Sequence, residues 1–411
     1  RLRRRSLAAL RQQVEAVDPA SFAAFLPAWQ SVATLAKKRP IDELVRQLAG
    51  APLIASTLDD PLLASRSRDA SMDLDAALTS GEVVWIGLEA LGTRDGRVAL
   101  LPRELAPALM PPEREDPPSE ALHTAIVSHL KSFGASFFTD VYHGVGGGST
   151  DDVVEAMWDL VWAGVVTNDS LAPLRGFTAR RRRKAQRRPN VVAVPNHARG
   201  RWYLTESLRA GAGSPEERAL NLAHALLDRY GVVTRDVVLA EGIVGGFSGL
   251  YPAFSSLEDI GTVRRGYFIE GMGGAQFALP GAVERLRHLE PSPLTILAAT
   301  DPAQAYGASV PWPHADNKVE RRAGARVALA DGVPVAWLDP AGRRVVTFDA
   351  DEATTVGAIE ELSFVHGKVS IATIDGSPAP DHDLAPALLA AGFLSGYKGF
   401  TVRPVPAGRR G

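Results

Sequence analysis

The feature that most restricts the fold of this 411-residue chain is an internal repeat. The stretch LKSFGASFFTDVYHGVGGGSTDDVVEAMWDLVWAGVV from Leu130 aligns without a gap with LDRYGVVTRDVVLAEGIVGGFSGLYPAFSSLEDIGTV from Leu227, at a constant offset of 97 residues. The matched pairs are Leu130 with Leu227, Phe133 with Tyr230, Gly134 with Gly231, Val141 with Val238, Gly148 with Gly245, Ala156 with Ala253, Leu160 with Leu257 and Gly164 with Gly261. Because apolar positions that agree in phase predict the same buried faces, a duplicated structural unit is expected.

Each copy has the pattern of three helices followed by a β-hairpin. An amphipathic helix ends at a glycine, a short helix follows, and a glycine-rich turn leads into a third helix. Two strand-like stretches come next, so each copy is predicted to be a winged helix, a variant of the helix-turn-helix. A degenerate copy precedes them, with Gly81, a strand, an Asp95-Gly96 turn and a second strand. The predicted modules cover residues 1–112 (the degenerate copy), 118–208 and 214–290.

After Pro293 the pattern changes to short strands separated by turns. The turn at Asp331-Gly332 and the turn at residues 339–343 indicate a β-meander, which predicts a small β-barrel over residues 294–350. Residues 351–411 combine helices with short strands and predict a small α/β module. The predicted fold class is α+β, with tandem winged-helix domains followed by the small β-barrel and the α/β C-terminal module.

Positive charge is concentrated in the second module. Residues 175–201 contain ten Lys and Arg and no Asp or Glu, whereas the rest of the chain has 35 basic and 47 acidic residues. The segment lies between the two hairpin strands, where a wing extends from its module, and guanidinium groups suit phosphate. It therefore predicts a long wing that contacts a nucleic-acid backbone. A solvated loop with no partner and a localisation signal are the alternatives.

The third module repeats this arrangement on a smaller scale at the start of its hairpin. The predicted nucleic-acid-binding residues are Arg180, Arg181, Arg182, Arg183, Lys184, Arg187, Arg188, Arg201, Arg264, Arg265 and Tyr267. The third helices are the expected recognition helices, and they face either a groove or a neighbouring module. Their candidate residues are Ser149, Asp152, Ser248 and Tyr251. Either Ser149 or Thr150 is expected to be the N-cap of its helix.

Several chemistries are excluded by what the chain lacks. It has no cysteine, which excludes disulfides, thiolate metal sites and cysteine nucleophiles. The glycine-rich stretch at residues 144–150 has no lysine before Ser149 and no preceding strand, so no nucleotide-binding loop is predicted. None of the nine histidines forms a metal-binding motif, and no metal or cofactor site is expected. No apolar run approaches the roughly 20 residues that span a bilayer, so no membrane partner is expected.

Four stretches of this sequence resemble the C-terminal region of the large helicase-related (Lhr) family. They are residues 25–32, 156–175, 226–287 and 299–313, which include FLPAWQSV, AMWDLVWAGVVTNDSLAPLR and ATDPAQAYGASVPWP. The resemblance implies a part of an ATP-dependent superfamily 2 DNA helicase that moves 3′ to 5′ and unwinds RNA:DNA hybrids. ATP and Mg²⁺ would then serve motor modules that precede this region, since none of the motor's motifs occurs here. The amino terminus has the pattern of the middle of a helix, which agrees with a piece of a longer protein.

The winged-helix array followed by a β-barrel is also similar to the AlkZ-type DNA glycosylases, and Lhr proteins have been linked to uracil excision. A glycosylase needs a carboxylate or an amide to position water after the base has been flipped out. The AlkZ signature, two glutamines that flank one apolar residue, is absent. Asp301 in TDPAQAYG is a candidate carboxylate, although Asp-Pro also commonly begins a turn.

Three functions follow as hypotheses. The first is a DNA-binding accessory region of a helicase involved in DNA repair, with single-stranded DNA or an RNA:DNA hybrid and the protein's own N-terminal helicase core as partners. The second is a DNA glycosylase, and the third is a scaffold that binds proteins or a second copy of this chain as a homo-oligomer. The expected location is the bacterial cytoplasm, in association with the nucleoid.

Overall fold

The computed structural model describes residues 16–32, 39–179, 194–292, 294–313, 318–367 and 369–402. The predicted contacts at Arg180, Arg181, Arg182, Arg183, Lys184, Arg187 and Arg188 lie outside the described residues. The described chain divides into two compact units. Residues 35–229 with 249–254 form the first unit, and residues 1–34, 230–248 and 255–411 form the second.

The elements are numbered along the chain. The helices are α1 Pro19–Trp29, α2 Ile41–Gln47, α3 Ala70–Ser80, α4 Ala106–Leu109, α5 Ala121–Phe133, α6 Phe138–Gly144, α7 Thr150–Trp162, α8 Ala172–Thr178, α9 Pro215–Tyr230, α10 Arg235–Ala240, α11 Gly246–Asp259, α12 Pro280–Arg287, α13 Glu352–His366 and α14 Ala385–Ala390. The strands are β1 Leu53–Ile54, β2 Val83–Ala90, β3 Gly96–Pro102, β4 Ser136–Phe137, β5 Val166–Asn168, β6 Arg201–Leu204, β7 Val232–Val233, β8 Arg264–Gly266, β9 Gln276–Ala278, β10 Thr295–Ala298, β11 Arg326–Ala330, β12 Val333–Leu338, β13 Arg344–Thr347, β14 Thr373–Ile374, β15 Ser377–Pro378, β16 Leu394–Gly396 and β17 Gly399–Thr401.

The same small sheet occurs three times. The strand orders are β1–β3–β2, β4–β6–β5 and β7–β9–β8, so in each sheet the last strand lies between the first two. All pairings in these sheets are antiparallel, as in a winged helix. The predicted duplication is confirmed at the level of topology, and the copy expected to be degenerate is a complete winged helix. Its β2–β3 hairpin is longer than the hairpins of the two later copies.

The repeated glycines end the helices as predicted. Gly134 follows α5 with φ 72°, and Gly231 follows α9 with φ 66°, in the left-handed region where a Cβ would be strained. Between the glycines, apolar side chains of α7 fill the core of the second module. Trp158, Trp162 and Trp202 are buried there: Trp158 packs against the other two tryptophans and Phe177, and Trp162 also packs against Phe177.

The second unit ends in a six-stranded sheet in the order β10–β11–β12–β13–β14–β15. Strands β10 to β13 form the predicted antiparallel meander, and β13 then pairs in parallel with β14. Within the described residues β10 and β15 are the two edge strands of this sheet and do not pair with each other. No closed barrel is therefore found, and the predicted β-barrel is unconfirmed. Because β14 and β15 join the sheet of β10–β13, the sheet continues across the boundary that the sequence places after residue 350. Helix α13 packs on this sheet and shares its apolar core.

Candidate nucleic-acid interface

The position of the basic segment (residues 175–201) in the second module follows from the elements on either side of it. Strand β5 leads into α8, which ends at Thr178, and the described chain resumes at Val194 before the helical turn Asn196–Ala198 and β6. The segment therefore lies between β5 and β6, the position of a wing. An ideal Cβ on Gly176 would lie 2.6 Å from the backbone of both Asn196 and His197. This close approach brings the two ends of the segment together at one point of the fold.

Helix α8 is held by an ion-pair cluster, the Arg175 clamp, formed by Arg175, Asp59 and Asp75. The Arg175 guanidinium donates to both carboxylate oxygens of Asp59 at 2.7 and 3.0 Å, and to both of Asp75 at 2.7 and 3.0 Å. Asp75 lies on α3 and Asp59 on the helical segment before it, so the clamp joins the second module to the first. The hydrogen bonds that Arg175 donates to Asp59 raise the pKa of Arg175 above its ordinary value, although burial opposes this.

The clamp also determines the charge of Asp59. Burial by itself would raise the pKa of this carboxyl, but hydrogen bonds from Arg175 and Ser71 bring it below its ordinary value. A lowered pKa in the folded state means that the ionised carboxylate stabilises the fold at pH values above about 4. The stabilisation is lost as the pH falls through the lowered pKa.

We expect Arg175→Ala to lower the free energy of unfolding by about 1.5 kcal/mol at pH 7, because two half-buried carboxylates lose a charged donor. The part of this loss that comes from Asp59 should begin to shrink below pH 4, where Asp59 of the unfolded chain becomes protonated, and it should vanish as the pH falls through the lowered pKa of the folded chain. Urea unfolding at pH 7 and pH 3.5 measures both effects. The control is Arg46→Ala, which removes an exposed pair with Glu104 and should cost less than about 0.5 kcal/mol. Equal costs for the two variants would show that the clamp is only a surface ion pair.

A polar cleft of about 470 Å³ opens beside the start of the basic segment. It is lined by Ser56, Leu91, Thr93, Arg94, Asp95 and Thr178. Arg94 is exposed at the tip of the β2–β3 hairpin, and the Asp95 carboxylate accepts hydrogen bonds from the backbone N–H and the hydroxyl of Ser56. The wing of the first module and the base of the basic segment thus share one surface. Sequence reasoning missed Arg94, although its position in a predicted Asp-Gly hairpin turn was a signal for it.

Helix α7 does not present a surface suited to DNA. Its N-cap is Ser149, as expected, whose hydroxyl accepts from the backbone N–H of Asp152 at 3.3 Å. Its exposed face carries four carboxylates, those of Asp151, Asp152, Glu155 and Asp159. Negative charge on this face opposes the approach of a phosphate backbone to Ser149 and Asp152.

The opposite side of α7 is packed against the first module. A Cβ on Gly87 in β2 would lie 2.2 Å from the Val161 carbonyl oxygen, and a Cβ on Gly96 would lie 2.4 Å from the Trp162 ring. Arg114 donates to the carbonyl oxygens of Leu88 and Trp162 at 2.7 and 3.0 Å. The end of α7 at Val161 and Trp162 therefore contacts the neighbouring module, whereas Ser149 and Asp152 at its start are exposed.

The third module presents a different surface. Along α11, Ser248, Pro252 and Ser256 are exposed and Tyr251 is half-buried, so the first three turns carry no charge. On the hairpin that follows, Arg264 is exposed on the edge strand β8, whereas Arg265 pairs with Glu258 at 3.1 Å. This neutral helix beside an exposed arginine is better suited to a nucleic acid than the acidic α7.

The wing of the third module is held in place by one buried amide. Gln276 accepts from the backbone N–H of Phe268 and Ile269, at 2.8 and 2.9 Å, and donates to the carbonyl oxygens of Ile269 and Met272. Tyr267, 51% exposed, projects from this wing, and its hydroxyl accepts from Gly271 N–H at 3.2 Å. The wing is therefore a fixed loop with an aromatic ring on its surface.

Two other predicted residues have their polar groups engaged elsewhere. Arg201 donates from its backbone N–H and its Nε to the Asp169 carboxylate, at 2.9 and 2.7 Å, so its charge is balanced locally. Asp301 is 1% exposed, and its carboxylate accepts from Ala303 N–H at 2.8 Å. Arg321 donates to the carbonyl oxygens of Thr300 and Asp301, which holds this turn inside the fold. Asp301 therefore begins a buried turn.

The described part of the chain has neither a cluster of metal-binding side chains nor a membrane-spanning helix. No group of three or more His, Asp or Glu side chains there is placed to hold a metal ion. None of its helices is long and apolar enough to cross a bilayer.

Comparison with known proteins identifies the winged helices. Residues 17–103 and residues 212–295 each match the family model described as "Large helicase-related protein, winged-helix domain". The chain is 37% identical over 98% of its length to the "Lhr helicase/ probable uracil glycosylase" of Mycolicibacterium smegmatis, and covers 29% of that protein. It is 36% identical over 86% of its length to the "Lhr helicase/uracil glycosylase" of Escherichia coli, and covers 26% of that protein.

A solved structure has a similar fold. The DNA glycosylase AlkZ of Streptomyces sahachiroi superimposes with a TM-score of 0.52 at 15% identity, over 95% of this chain and all of that one. This likeness concerns the fold alone. The chain spans less than a third of the length of the two curated relatives described above. With two matching winged-helix models and this identity along nearly its whole length, the chain belongs to the large helicase-related family, as part of the family's C-terminal winged-helix region.

Proposed function

We propose that this chain is the nucleic-acid-binding accessory region of an Lhr-type helicase. The observation that carries the proposal is the basic segment itself, with ten Lys and Arg and no acid over residues 175–201. Thr178, within this segment, lines the same cleft as the exposed Arg94. A wing in this position contacts phosphate, and phosphate contacts supply most of the affinity of non-specific binding. ATP and Mg²⁺ would act in the motor modules of the parent protein, with which this region would cooperate in DNA repair.

A binding titration tests the proposal. The purified chain is mixed with labelled single-stranded DNA, duplex DNA or an RNA:DNA hybrid at salt concentrations between 50 and 300 mM. If about six phosphates are engaged, the logarithm of the affinity falls against the logarithm of the salt concentration with a slope of about −5. Self-association without binding to any of the three would instead favour a protein scaffold.

A second candidate function is supported by the relatives. Two of them carry uracil glycosylase in their names, and the AlkZ likeness extends over 95% of the chain. Base excision needs a group that positions water against the sugar, and the buried Asp301 does not reach solvent in this conformation. A glycosylase function would therefore use a carboxylate or amide on another surface, or require the turn at Asp301 to open.

The test of this second function uses uracil-containing single-stranded DNA. We expect the chain to leave abasic sites that alkali cleaves, and Asp301→Asn to retain that activity in its folded fraction, because a buried turn residue does not touch the substrate. Circular dichroism provides the folded fraction. No cleavage above that of buffer alone would leave the binding role. A folded Asp301→Asn chain without activity would restore Asp301 as the catalytic carboxylate.

A further inference from the structure

A second concentration of positive charge lies in the β10–β15 sheet. Between residues 318 and 344 the basic residues are Lys318, Arg321, Arg322, Arg326, Arg343 and Arg344. The acidic residues of the same stretch are Glu320, Asp331 and Asp339. The net charge of the stretch is +3, and three of its six cations lie exposed at one edge of the sheet.

Two contacts bring the start of this stretch beside the β12–β13 hairpin. The Arg344 guanidinium lies 4.8 Å from the centre of the Trp337 ring and donates to the Lys318 carbonyl oxygen at 2.7 Å. The Trp337 indole N–H donates to the Glu320 carbonyl oxygen at 3.3 Å. Residues 318–320 therefore lie along the end of the hairpin that carries Arg343.

The next residues continue along the same edge. An ideal Cβ on Gly324 would lie 3.1 Å from Pro340 in the hairpin turn. Arg322, two residues earlier, thus lies close to that turn. Lys318, Arg322 and Arg343 are all exposed, and we name these three side chains the sheet-edge patch.

Of the three carboxylates in this stretch, Glu320 is exposed between Lys318 and Arg322 in sequence, and together with the three patch cations it leaves a net charge of +2. The other two carboxylates have backbone partners. Asp339 accepts from the backbone N–H groups of Arg343 and Arg344, at 2.6 and 2.8 Å, so its charge caps the turn. Asp331 lies in the β11–β12 turn at the other end of β12, where it accepts from Ser292 N–H. Within the described residues, no ion pair joins the three patch cations to a carboxylate.

We propose that the sheet-edge patch is a second phosphate-binding surface for the backbone of single-stranded DNA, separate from the basic segment. An interface for a folded protein normally has an apolar centre. The exposed large apolar residue of these strands, Val333, begins β12 at the end away from Arg343. The inference rests on the proposed nucleic-acid binding, and it adds that the strand contacts the sheet as well as the winged helices.

The test replaces all three side chains with Gln and measures the salt dependence of binding to labelled single-stranded DNA. Three lost phosphate contacts lower the magnitude of the slope by about 2, and they weaken binding at 0.1 M salt by about tenfold to a hundredfold. The control variant changes Arg46, Arg97 and Lys131 to Gln, which removes the same charge from cations that already pair with Glu104, Glu89 and Glu206. Its slope should match that of the unmodified chain.

A second measurement does not depend on a substitution. Bound DNA should protect the Lys318 amine from acetylation, detected by mass spectrometry, while Lys131 in the first unit reacts as in the absence of DNA. Equal slopes for the two triple variants, or full acetylation of Lys318 at saturating DNA, would overturn the inference while leaving the proposed function intact. Failure of the unmodified chain to bind any DNA would overturn both.

Discussion

A variant with Gln at Arg180, Arg181, Arg182, Arg183, Lys184, Arg187 and Arg188 is expected to lose most of its affinity for single-stranded DNA. If these side chains supply about six of the phosphate contacts, the magnitude of the salt slope should fall by about 4, with an affinity loss on the order of 10³ at 0.1 M salt. The reason is counterion release, because each phosphate neutralised by the protein releases part of its condensed counterion. Fluorescence anisotropy at several salt concentrations measures both quantities.

The control for this variant preserves charge and changes shape. Lysine at the six arginine positions keeps every positive charge but loses the planar guanidinium fork. Its slope should remain near that of the unmodified chain, with a modest loss of affinity from the lost bidentate contacts. A Gln variant that keeps the original slope would contradict the assignment of the segment to phosphate binding.

A Gly87→Ala chain is expected to be less stable by about 3 kcal/mol, because overpacking at an unyielding contact costs this much. The added methyl group would lie 2.2 Å from the Val161 carbonyl oxygen and 2.8 Å from its carbonyl carbon. Both are backbone atoms of α7, so the first and second modules would have to separate to make room. Urea unfolding followed by tryptophan fluorescence provides the measurement, since Trp85 and Trp162 lie in the two modules at this contact.

Gly357→Ala is the matched control for Gly87→Ala. Gly357 lies within α13 with nothing within 4 Å of the added Cβ, so alanine should stabilise the chain by about 0.5–1 kcal/mol through helix propensity. If Gly87→Ala unfolds at the same urea concentration as the unmodified chain, α7 is not packed on β2 in solution.

The repeat was predictable because winged helices depend on local signals. Helix-ending glycines and the alternation of apolar residues recur at the same offset, and they predict the same three helices and hairpin wherever they occur. The first module was harder to recognise, because its early part, where Asp59 precedes Pro61 in a short irregular helix, lacks the longer helical pattern of the other two copies.

The role of α7 could not be predicted from its own residues. Its sequence indicates an amphipathic helix with an N-cap, but the face that remains exposed depends on the packing of β2, about 70 residues earlier, against Val161. The Arg175 clamp is similar, since its partners lie 116 and 100 residues away in sequence. Asp301 also depends on a distant residue, because Arg321 holds its turn inside the fold. The parallel pairing of β13 with β14 is a further non-local contact that local turn signals do not reveal.

The most direct measurement of the central claim is photocrosslinking from single cysteines. The chain has no cysteine, so a thiol-reactive photocrosslinker can be attached at one chosen position. We expect Ala179→Cys, exposed at the end of α8 where the basic segment starts, to crosslink to single-stranded DNA. Glu155→Cys, on the acidic face of α7, should not. Crosslinking from Glu155→Cys with none from Ala179→Cys would contradict the account.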